Sequence, residues 1–407
     1  MSEWKKVKLG DICERVTSGG TPKANVSSYY FPPIIPWLKT KEVNYCRITE
    51  TENFISEEGL NNSSAKLIAP NSVIIAMYGQ GDTAGRVAIN KIPLTTNQAC
   101  CNLTIDESKA DYEFIYYQLC TLYNKMVSLK AGAAQPNLNA RIIKNLEVLL
   151  PSLPTQHRIA TILSRYDSLI ENYQKQIKLL EEAAQRLYKE WFVDLHFPGH
   201  ENTKIVDGVP EGWEKKTIAD VCTNISSGST PSRSNKAYWE NGTIKWVKTK
   251  ELQDGWIFDT EEYISQEGYN SSSTKIFPVN TILMAIYASP TLGRLGILST
   301  DCCCNQAALG LIADENIISW QWLFWKLYEL RDEFNAIARG AGQQNISGIV
   351  VKNKEIIIPD KGVIDGFTSV VSKMFEQQKS LSSQIRLLTE ARDRLLPKLM
   401  SGEIKVS

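Results

Sequence analysis

The stretch that decides the architecture is residues 4–13 (WKKVKLGDIC), because it returns 209 positions later as residues 213–222 (WEKKTIADVC). The same offset carries Ser-Gly-Gly-Thr-Pro at 18–22 onto Ser-Gly-Ser-Thr-Pro at 227–231. Long-period self-similarity of this kind is typical of proteins built from repeated structural units. The chain is therefore predicted to contain two copies of one fold.

Further motifs extend the repeat over nearly the whole chain. Residues 37–42 (WLKTKE) recur as 246–251 (WVKTKE) at the same offset. Asn-Gln-Ala at 97–99 then recurs at 305–307, so the offset falls to 208 and one residue is missing from the intervening loop. The chain is therefore interpreted as a tandem duplication that spans essentially its whole length.

Composition fits two ordinary globular modules. A chain of 407 residues exceeds one typical domain, and 43% hydrophobic with 22% charged residues is a globular composition. The 45 basic and 45 acidic side chains cancel, so any nucleic-acid surface must be local or completed by partners. Neither a membrane-spanning apolar run nor a secretory leader is predicted.

The 9 cysteines argue for a reducing compartment. They are odd in number, include adjacent runs at 100–101 and 302–304, and contain no Cys-x-x-Cys pair. Adjacent residues in a strand point to opposite faces, which disfavours a disulfide framework or a zinc knuckle. We expect reduced, mostly buried thiols in a cytoplasmic protein.

Each copy begins with a strand-rich α+β module. Apolar runs at 73–78 and 282–287 predict buried strands, punctuated by Gly, Asn, Ser and Pro. One helix is predicted in each copy, at 111–124 and 319–335, because Asp111 and Ser319 are suited to N-capping.

Each module is followed by a long helix with a coiled-coil seam. Residues 155–191 contain no Pro or Gly, and their apolar side chains recur at steps of three and four with one stutter. The predicted seam of the first helix is Ile159, Ile162, Tyr166, Leu169, Tyr173, Ile177, Leu180, Ala184, Leu187 and Trp191. The equivalent seam of the second is Phe367, Val370, Met374, Gln377, Leu381, Ile385, Leu388, Arg392, Leu395 and Leu399.

The two seams predict that the helices pair with each other, although either could pack only on its own module. Helices related by duplication pair most simply in antiparallel fashion about a pseudo-twofold axis. About 36 residues span about 54 Å, which would hold two modules at most about 16 base pairs apart on DNA. The predicted boundaries are a first module at 1–152, a helical spacer at 153–195, a linker at 196–212, a second module at 213–360 and a second spacer at 361–402.

With its doubled motifs and helical spacers, the sequence resembles the specificity subunits of type I restriction-modification systems. The features that carry the resemblance are the Ser-Gly-x-Thr-Pro segments, Pro-Trp-Leu-Lys at 36–39 with Lys-Trp-Val-Lys at 245–248, and the paired Gly-x-x-Gln-x-Asn segments. Pro-Thr-Gln-His-Arg-Ile at 154–159 is also similar to the start of the family's central helical region. The second helix, opening at Pro359, departs from that pattern.

The resemblance implies two target-recognition domains, each reading half of a split site in double-stranded DNA. It implies that two modification subunits, which methylate adenine, bind the helices, and that restriction subunits join them. S-adenosylmethionine, ATP and magnesium would belong to those partners, leaving no catalytic residue, cofactor or metal in this chain.

Candidate DNA contacts combine lysines beside tryptophans, loop arginines and amides able to pair with adenine edges. Ordinary solvated lysines and turn-forming asparagines would look the same in the sequence. The loops at 80–84 and 289–292 differ between copies and are the better candidates for base discrimination. The predicted contacts are Ser18, Thr21, Lys39, Lys41, Tyr78, Gln80, Arg86, Gln135 and Asn137, with Ser227, Thr230, Lys248, Lys250, Tyr287, Arg294, Gln343 and Asn345.

Two other functional classes remain open at this point. Two ligand-binding modules on a coiled coil would make a scaffold that does not bind DNA. Asp194, His196 and His200 could hold a metal for hydrolysis, but the stretch 196–200 also suits a turn between modules. No nucleotide-binding loop of the Gly-x-x-x-x-Gly-Lys type and no Asn/Asp-Pro-Pro-aromatic methyltransferase segment is present.

Overall fold

The computed structural model describes residues 4–130, 137–287, 291–340 and 345–406. These residues form two compact units, the first made of 1–170 with 387–407 and the second of 171–386. Within the described stretches, no helix combines the length and apolar character needed to cross a membrane. Each unit contains one copy of the repeat, and the sequence prediction of a mixed α+β fold with two long helices is confirmed.

Unit 1 is built around a five-stranded sheet of order β2-β9-β6-β7-β4, beside a three-stranded sheet of order β5-β3-β8 and a β1–β10 pair. The central strand β6 is buried along its whole length, as its run of Val, Ile, Ile and Ala dictates. The strands are β1 Lys5–Lys8, β2 Cys13–Ser18, β3 Ile35–Leu38, β4 Arg47–Ile48, β5 Phe54–Ile55, β6 Val73–Ala76, β7 Val87–Asn90, β8 Thr95–Thr96, β9 Cys100–Ile105 and β10 Glu147–Leu150.

Most helices of unit 1 share a buried core with one face of this sheet, whereas the first packs beside the three-stranded sheet. The helices are α1 Glu57–Asn61, α2 Tyr112–Thr121, α3 Tyr123–Ser128, α4 Ala140–Lys144 and the start of the long helix α5 Leu153–Tyr188, with 3-10 turns at Leu9–Ile12, Ser27–Tyr29 and Thr40–Glu42. Asp111 caps α2 by accepting a hydrogen bond from the Phe114 amide, as predicted. The single helix expected at 111–124 is wrong in one respect: it breaks after Thr121, because Leu122 has a ψ of 8° and ends the first of two helices.

Unit 2 repeats this topology with sheets of order β14-β21-β18-β19-β16 and β17-β15-β20 and a β13–β22 pair. Its strands are β13 Glu214–Thr217, β14 Cys222–Ser227, β15 Ile244–Val247, β16 Gly255–Ile257, β17 Glu262–Ile264, β18 Ile282–Ala285, β19 Leu295–Leu298, β20 Cys303–Cys304, β21 Ala308–Ala313 and β22 Glu355–Ile358, preceded by the hairpin β11 Ile205–Val206 and β12 Val209–Pro210. Strands β6 and β18 both end two residues before the predicted limit.

The helices of unit 2 also match their counterparts. They are α6 Gln266–Asn270, α7 Trp320–Glu329, α8 Arg331–Gly340, α9 Gly348–Lys352 and α10 Lys361–Met400, with 3-10 turns at His200–Asn202, Ile218–Val221, Lys236–Tyr238 and Thr249–Glu251. Ser319 caps α7 as predicted. The helix expected at 319–335 is again two helices, because buried Leu330 has a ψ of −5° and ends the first.

The long helices contribute to both units. After α5 the chain forms one π-helical turn at Lys189–Val193. In unit 1 the beginning of α5 packs with the end of α10, and Ile159, Leu163 and Leu399 share one buried core. In unit 2 the end of α5 packs with the beginning of α10, where the rings of Tyr188 and Phe367 are 6.0 Å apart. The pairing is therefore antiparallel in each unit.

Both alternatives for the long helices hold at once, because each helix packs on the other helix and on a globular core. Consequently the buried stripe differs from the predicted seam. Leu169 and Val370 are 42% and 43% exposed, whereas Ile170 and Val371 beside them are buried in the cores. The expectation that Leu169 and Val370 are buried in the helix interface is wrong, since the deeper positions face the globular parts.

Candidate DNA-recognition surfaces

In unit 1 the predicted contact residues gather at one end of the five-stranded sheet. Ser18 ends β2 and pairs with Cys101, while Ala76 ends β6 and pairs with Cys100. The hairpin that follows β6 carries Tyr78, Gln80 and Arg86, and it closes when the Gly85 amide donates to the Ala76 carbonyl over 2.8 Å. These residues lie far apart in the sequence, and the antiparallel sheet brings them together.

Two further segments reach the same end. The Leu138 amide donates to the Met77 carbonyl over 3.0 Å, which places Asn137 beside the hairpin. The Asn97 amide donates to the Leu38 carbonyl over 2.9 Å, which brings the Lys39 segment alongside. Gln135 was also predicted to contact DNA and lies outside the described residues.

Unit 2 assembles the equivalent residues in the same way. Tyr287 forms a β-bridge with Asn345, and the Ala285 amide donates to the Arg294 carbonyl over 2.9 Å. The Asn305 amide donates to the Val247 carbonyl over 3.0 Å, which positions Lys248. Ser227 ends β14 at this end of the sheet, while Gln343 and residues 288–290 lie outside the described part of the chain.

Arg86 is held in a fixed orientation at the base of its hairpin. Its guanidinium donates to Asp82 Oδ1 over 2.5 Å and to Asn44 Oδ1 over 2.9 Å. The hydrogen bond that it donates to Asp82 raises the pKa of Arg86, so the guanidinium stays fully charged. The Tyr123 hydroxyl donates to the Asp82 carbonyl over 2.8 Å and ties the hairpin to α3. An oriented guanidinium at a loop is suited to bind a phosphate or the acceptor edge of guanine.

The lysines of the first copy are closely partnered. Lys39 Nζ donates to Asn53 Oδ1 over 2.9 Å and lies 4.9 Å from the centre of the Trp37 ring. Lys41 is 63% exposed and forms an ion pair with Glu52. Surface ion pairs of this kind are weak and open readily. A phosphate bound by these lysines would share their ammonium groups with the partners that they already contact.

The second copy repeats the pattern with different acids. Lys248 Nζ lies 2.7 Å from Glu262 and 3.0 Å from Glu261, and Lys250 Nζ lies 2.5 Å from Glu261. The carboxylate of Glu262 also receives Arg233, which stacks 3.5 Å from the centre of the Trp239 ring. Arg233 was not predicted; its signal in the sequence was an arginine six residues ahead of Trp239, with Trp246 seven residues further on.

The motifs shared by both copies mainly hold the loops in place. Trp37 Nε1 donates to the Gly20 carbonyl over 3.0 Å, and Trp246 Nε1 donates to the Ser229 carbonyl over 2.9 Å. Gly19 admits no side chain, because a Cβ there would collide with the Thr96 carbonyl. Glycine is therefore required by close backbone approach rather than by an unusual φ angle.

A threonine–glutamine pair closes each of these loops. Thr21 donates a hydrogen bond to Gln98, and Thr230 donates one to Gln306. Gln98 and Gln306 were not predicted as functional, although their recurrence in the Asn-Gln-Ala segments was a usable signal. The side chains of Ser18 and Thr21 are exposed at the surface of unit 1.

The histidine-containing turn does not gather metal ligands. The rings of His196 and His200 are 5.3 Å apart, but Asp194 is engaged by Lys189 Nζ at 2.7 Å. Across the described stretches, no group of three His, Cys, Asp or Glu residues could hold a metal ion. The nine cysteines are free thiols, as predicted, and burial raises the pKa of Cys101 to about 12.

A family model for the type I restriction modification DNA specificity domain matches the chain twice, over residues 1–182 and 210–385. The chain belongs to this family. The two matched stretches include the loops described above, so both ends at which polar side chains gather lie within specificity domains.

Two relatives of this specificity-domain protein are similar over its full length. The type I restriction enzyme MjaIX specificity subunit of Methanocaldococcus jannaschii is 29% identical, over 99% of this chain and 94% of the relative. The type I restriction enzyme HindI specificity subunit of Haemophilus influenzae is 24% identical, over 99% of this chain and 100% of the relative.

A solved structure supports the same fold. The S subunit of a type I restriction-modification system from M. genitalium superposes with a TM-score of 0.63 at 16% sequence identity. The match covers 97% of this chain and 96% of that chain.

Proposed function

We propose that this chain is the DNA-specificity subunit of a type I restriction-modification complex and that each unit reads one half of a bipartite site. The observation that carries the proposal is the double match of one specificity-domain model within a single chain. Two related readers in one polypeptide are suited to a target with two parts. The internal similarity of the copies favours two related half-sites.

The arrangement of the loops supports this function. In both units, hydroxyl, amide and guanidinium groups gather at one end of a sheet. Tryptophan and glycine contacts that recur within each copy fix the backbone beneath them. Base edges in the major groove are read by such donor and acceptor side chains. A balanced net charge is compatible with reading, because phosphate contacts can be local or supplied by partners.

The long helices are proposed to bind two modification subunits, with restriction subunits joining the assembly. Both α5 and α10 carry exposed apolar side chains, among them Leu179 at 64% and Leu387 at 53% exposure. Exposed apolar side chains on a helix that is already packed on one face are suited to a protein partner. The chain itself would direct adenine methylation or cleavage without performing either, and S-adenosylmethionine, ATP and magnesium would be held by the partners.

Selection from randomised double-stranded DNA tests this function. The full chain, assembled with a candidate modification subunit from the same source, is used to capture DNA, and the recovered pool is sequenced. Enrichment of two short motifs at a constant separation supports the proposal. An unenriched pool from a complex that is assembled and binds its cofactor favours the scaffold alternative and overturns the proposal.

A further inference from the structure

The junction between the globular part and the long helices differs in chemistry between the two units. Equivalent positions are fixed by strand register: Arg47 of β4 lies opposite Ile89, and Trp256 of β16 lies opposite Ile297. These pairs are related by the repeat offsets of 209 and 208. An arginine in one copy is thus replaced by a tryptophan at the same place in the other.

The junction of unit 1 is ionic and buried. Arg47 donates to Asp167 Oδ2 over 2.8 Å and to Glu113 Oε2 over 2.5 Å, and Arg392 donates to Asp167 Oδ1 over 2.7 Å. The Tyr117 hydroxyl donates to Asp167 over 2.5 Å. The side chains of Arg47 and Asp167 are 7% and 6% exposed. Every charge in this cluster is compensated by an opposite one.

The junction of unit 2 is aromatic. Phe375 occupies the position equivalent to Asp167, is 2% exposed, and lies 5.0 Å from the Trp320 ring and 5.7 Å from the Phe324 ring. Trp256 in turn lies 5.6 Å from the Trp320 ring. The remaining charged or polar positions of unit 1 correspond to Gln321, Trp325 and Ala184 in unit 2.

Each long helix supplies one residue to the ionic junction and one to the aromatic junction. Helix α5 supplies Asp167 to the ionic junction and Ala184 to the aromatic one. Helix α10 supplies Arg392 to the ionic junction and Phe375 to the aromatic one. Asp167 and Phe375 contact the globular parts of their own units, and Arg392 reaches the globular part of unit 1 through Asp167. Both helices therefore differ in chemistry along their length.

Exchanging the globular parts would leave both junctions mismatched. The second globular part placed on the unit 1 helix segments would set Trp256 and Trp325 against Asp167, and Arg47 and Glu113 would be missing. Taking charges out of water is costly unless they are well paired and hydrogen-bonded. The reverse exchange would bury Arg47 and Glu113 against the Phe375 ring.

We infer that these two junctions assign each globular part to its own place on the helices, so that the two recognition positions of this chain are not interchangeable. The residues that make the assignment are Arg47, Glu113, Tyr117, Asp167 and Arg392 in one unit and Trp256, Gln321, Trp325, Phe375 and Ala184 in the other. The inference concerns assembly of the fold, so it does not depend on the proposed function.

A full-length chimera tests it. Residues 4–150 are replaced by a second copy of residues 213–358, and both helices are retained. We expect thermal unfolding, followed by circular dichroism, at a midpoint at least about 8 °C below that of the natural chain. Adding Asp167→Phe and Arg392→Ala to the chimera is expected to recover at least half of that loss, whereas the same pair lowers the midpoint of the natural chain.

The matched control removes the exposed pair Glu390 and Arg394 of the same helix by substitution with alanine. In the chimera, this control is expected to leave the unfolding midpoint unchanged. A chimera as stable as the natural chain, equal recovery by the control, or a chimera that stays unfolded with the Asp167→Phe and Arg392→Ala pair would each overturn the inference.

A second measurement uses the natural order of domains. Arg47→Trp alone is expected to lower the unfolding midpoint, because Asp167 and Glu113 lose a shared partner. The complete aromatic set, R47W, E113Q, Y117W, D167F and R392A together, is expected to unfold at a higher temperature than R47W alone. A complete set that is less stable than the single substitution overturns the inference.

Discussion

Arg392 of α10 donates a hydrogen bond over 2.7 Å to Asp167 of α5, and this contact joins the two long helices inside unit 1. Asp167 is only 6% exposed, and its other oxygen receives Arg47 and Tyr117. A single carboxylate therefore connects two helices with the globular part. The stability of this unit should depend strongly on it.

Replacing Arg392 with alanine should lower the free energy of unfolding by about 2–4 kcal/mol, because Asp167 would stay buried with fewer partners. Chemical denaturation of the full chain measures the change. Arg394→Ala, which removes an exposed arginine on the same helix, should cost less than about 1 kcal/mol. In a double-mutant cycle with Asp167→Ala, the two sites should couple by about 1–3 kcal/mol. Additive effects of the two substitutions would show that the Arg392–Asp167 contact contributes nothing to the free energy of unfolding.

Asp167 should also make stability fall in acid. Burial alone raises the pKa of this carboxyl, but hydrogen bonds from Tyr117 and Arg392 and the charge of Arg47 together hold it below its usual value. The unfolded chain, with an ordinary Asp pKa of about 3.9, binds the proton first as the pH falls. The stabilisation is thus present above about pH 4 and is lost as the pH falls through the folded pKa.

Comparison with Asp167→Asn checks this pH dependence. The difference in free energy of unfolding between the natural chain and the variant should be largest near pH 5 and shrink steadily towards pH 2.5. A difference that is constant over this range would mean that Asp167 has the same pKa in both states.

Glycine at position 19 should be indispensable for the loop that follows β2. A Cβ there would collide with the Thr96 carbonyl, and one at Gly228 would collide with the Cys304 carbonyl. Gly19→Ala and Gly228→Ala should each destabilise the chain by about 1–3 kcal/mol. Gly255→Ala is the matched control, since no atom lies within 4 Å of its added Cβ. Equal stability of all three variants would contradict this close packing around Gly19 and Gly228.

Arg86 should affect reading of one half-site only. Its replacement by alanine removes an oriented guanidinium from the unit 1 hairpin and should weaken DNA binding of the assembled complex by about 1–3 kcal/mol if it contacts a base. Loss of a phosphate contact instead would reduce the salt dependence by about 0.9 in the logarithmic slope. Lys6→Ala, at the β1–β10 pair, is the control. Unchanged affinity and salt slope would exclude Arg86 from the interface.

The sequence was sufficient to predict two copies, their strand-rich character and the long helices, because each of these depends on local pattern or on repetition. The N-caps at Asp111 and Ser319 were also predictable, since a capping side chain acts within its own turn. The breaks at Leu122 and Leu330 were not. They occur at equivalent positions of the two copies, where Leu122 and Leu330 pack against the cores, and helical periodicity does not encode such tertiary packing.

The ionic junction was missed for a related reason. In the periodic pattern Arg392 interrupted the apolar seam, and Asp167 lay off it, so neither suggested a contact. A comparison of the two copies could have indicated these residues, because Asp167 corresponds to Phe375 and Arg392 corresponds to Ala184. For the proposed DNA surface, the pattern predicted Tyr78, Arg86 and Asn137 as contacts, and only the sheet register shows that they share one end of the sheet. The partners of Lys41 and Lys248 depend on distant acids and could not be predicted.

A methylome tests the proposed specificity function most directly. The full chain is expressed with a candidate modification subunit in a host without related systems, and the genome is sequenced for N6-methyladenine. If the chain is the specificity subunit, one new bipartite motif with a constant gap will be methylated on both strands and will be absent without this chain. A motif that appears without the chain, or a continuous motif with no gap, would contradict the proposed function.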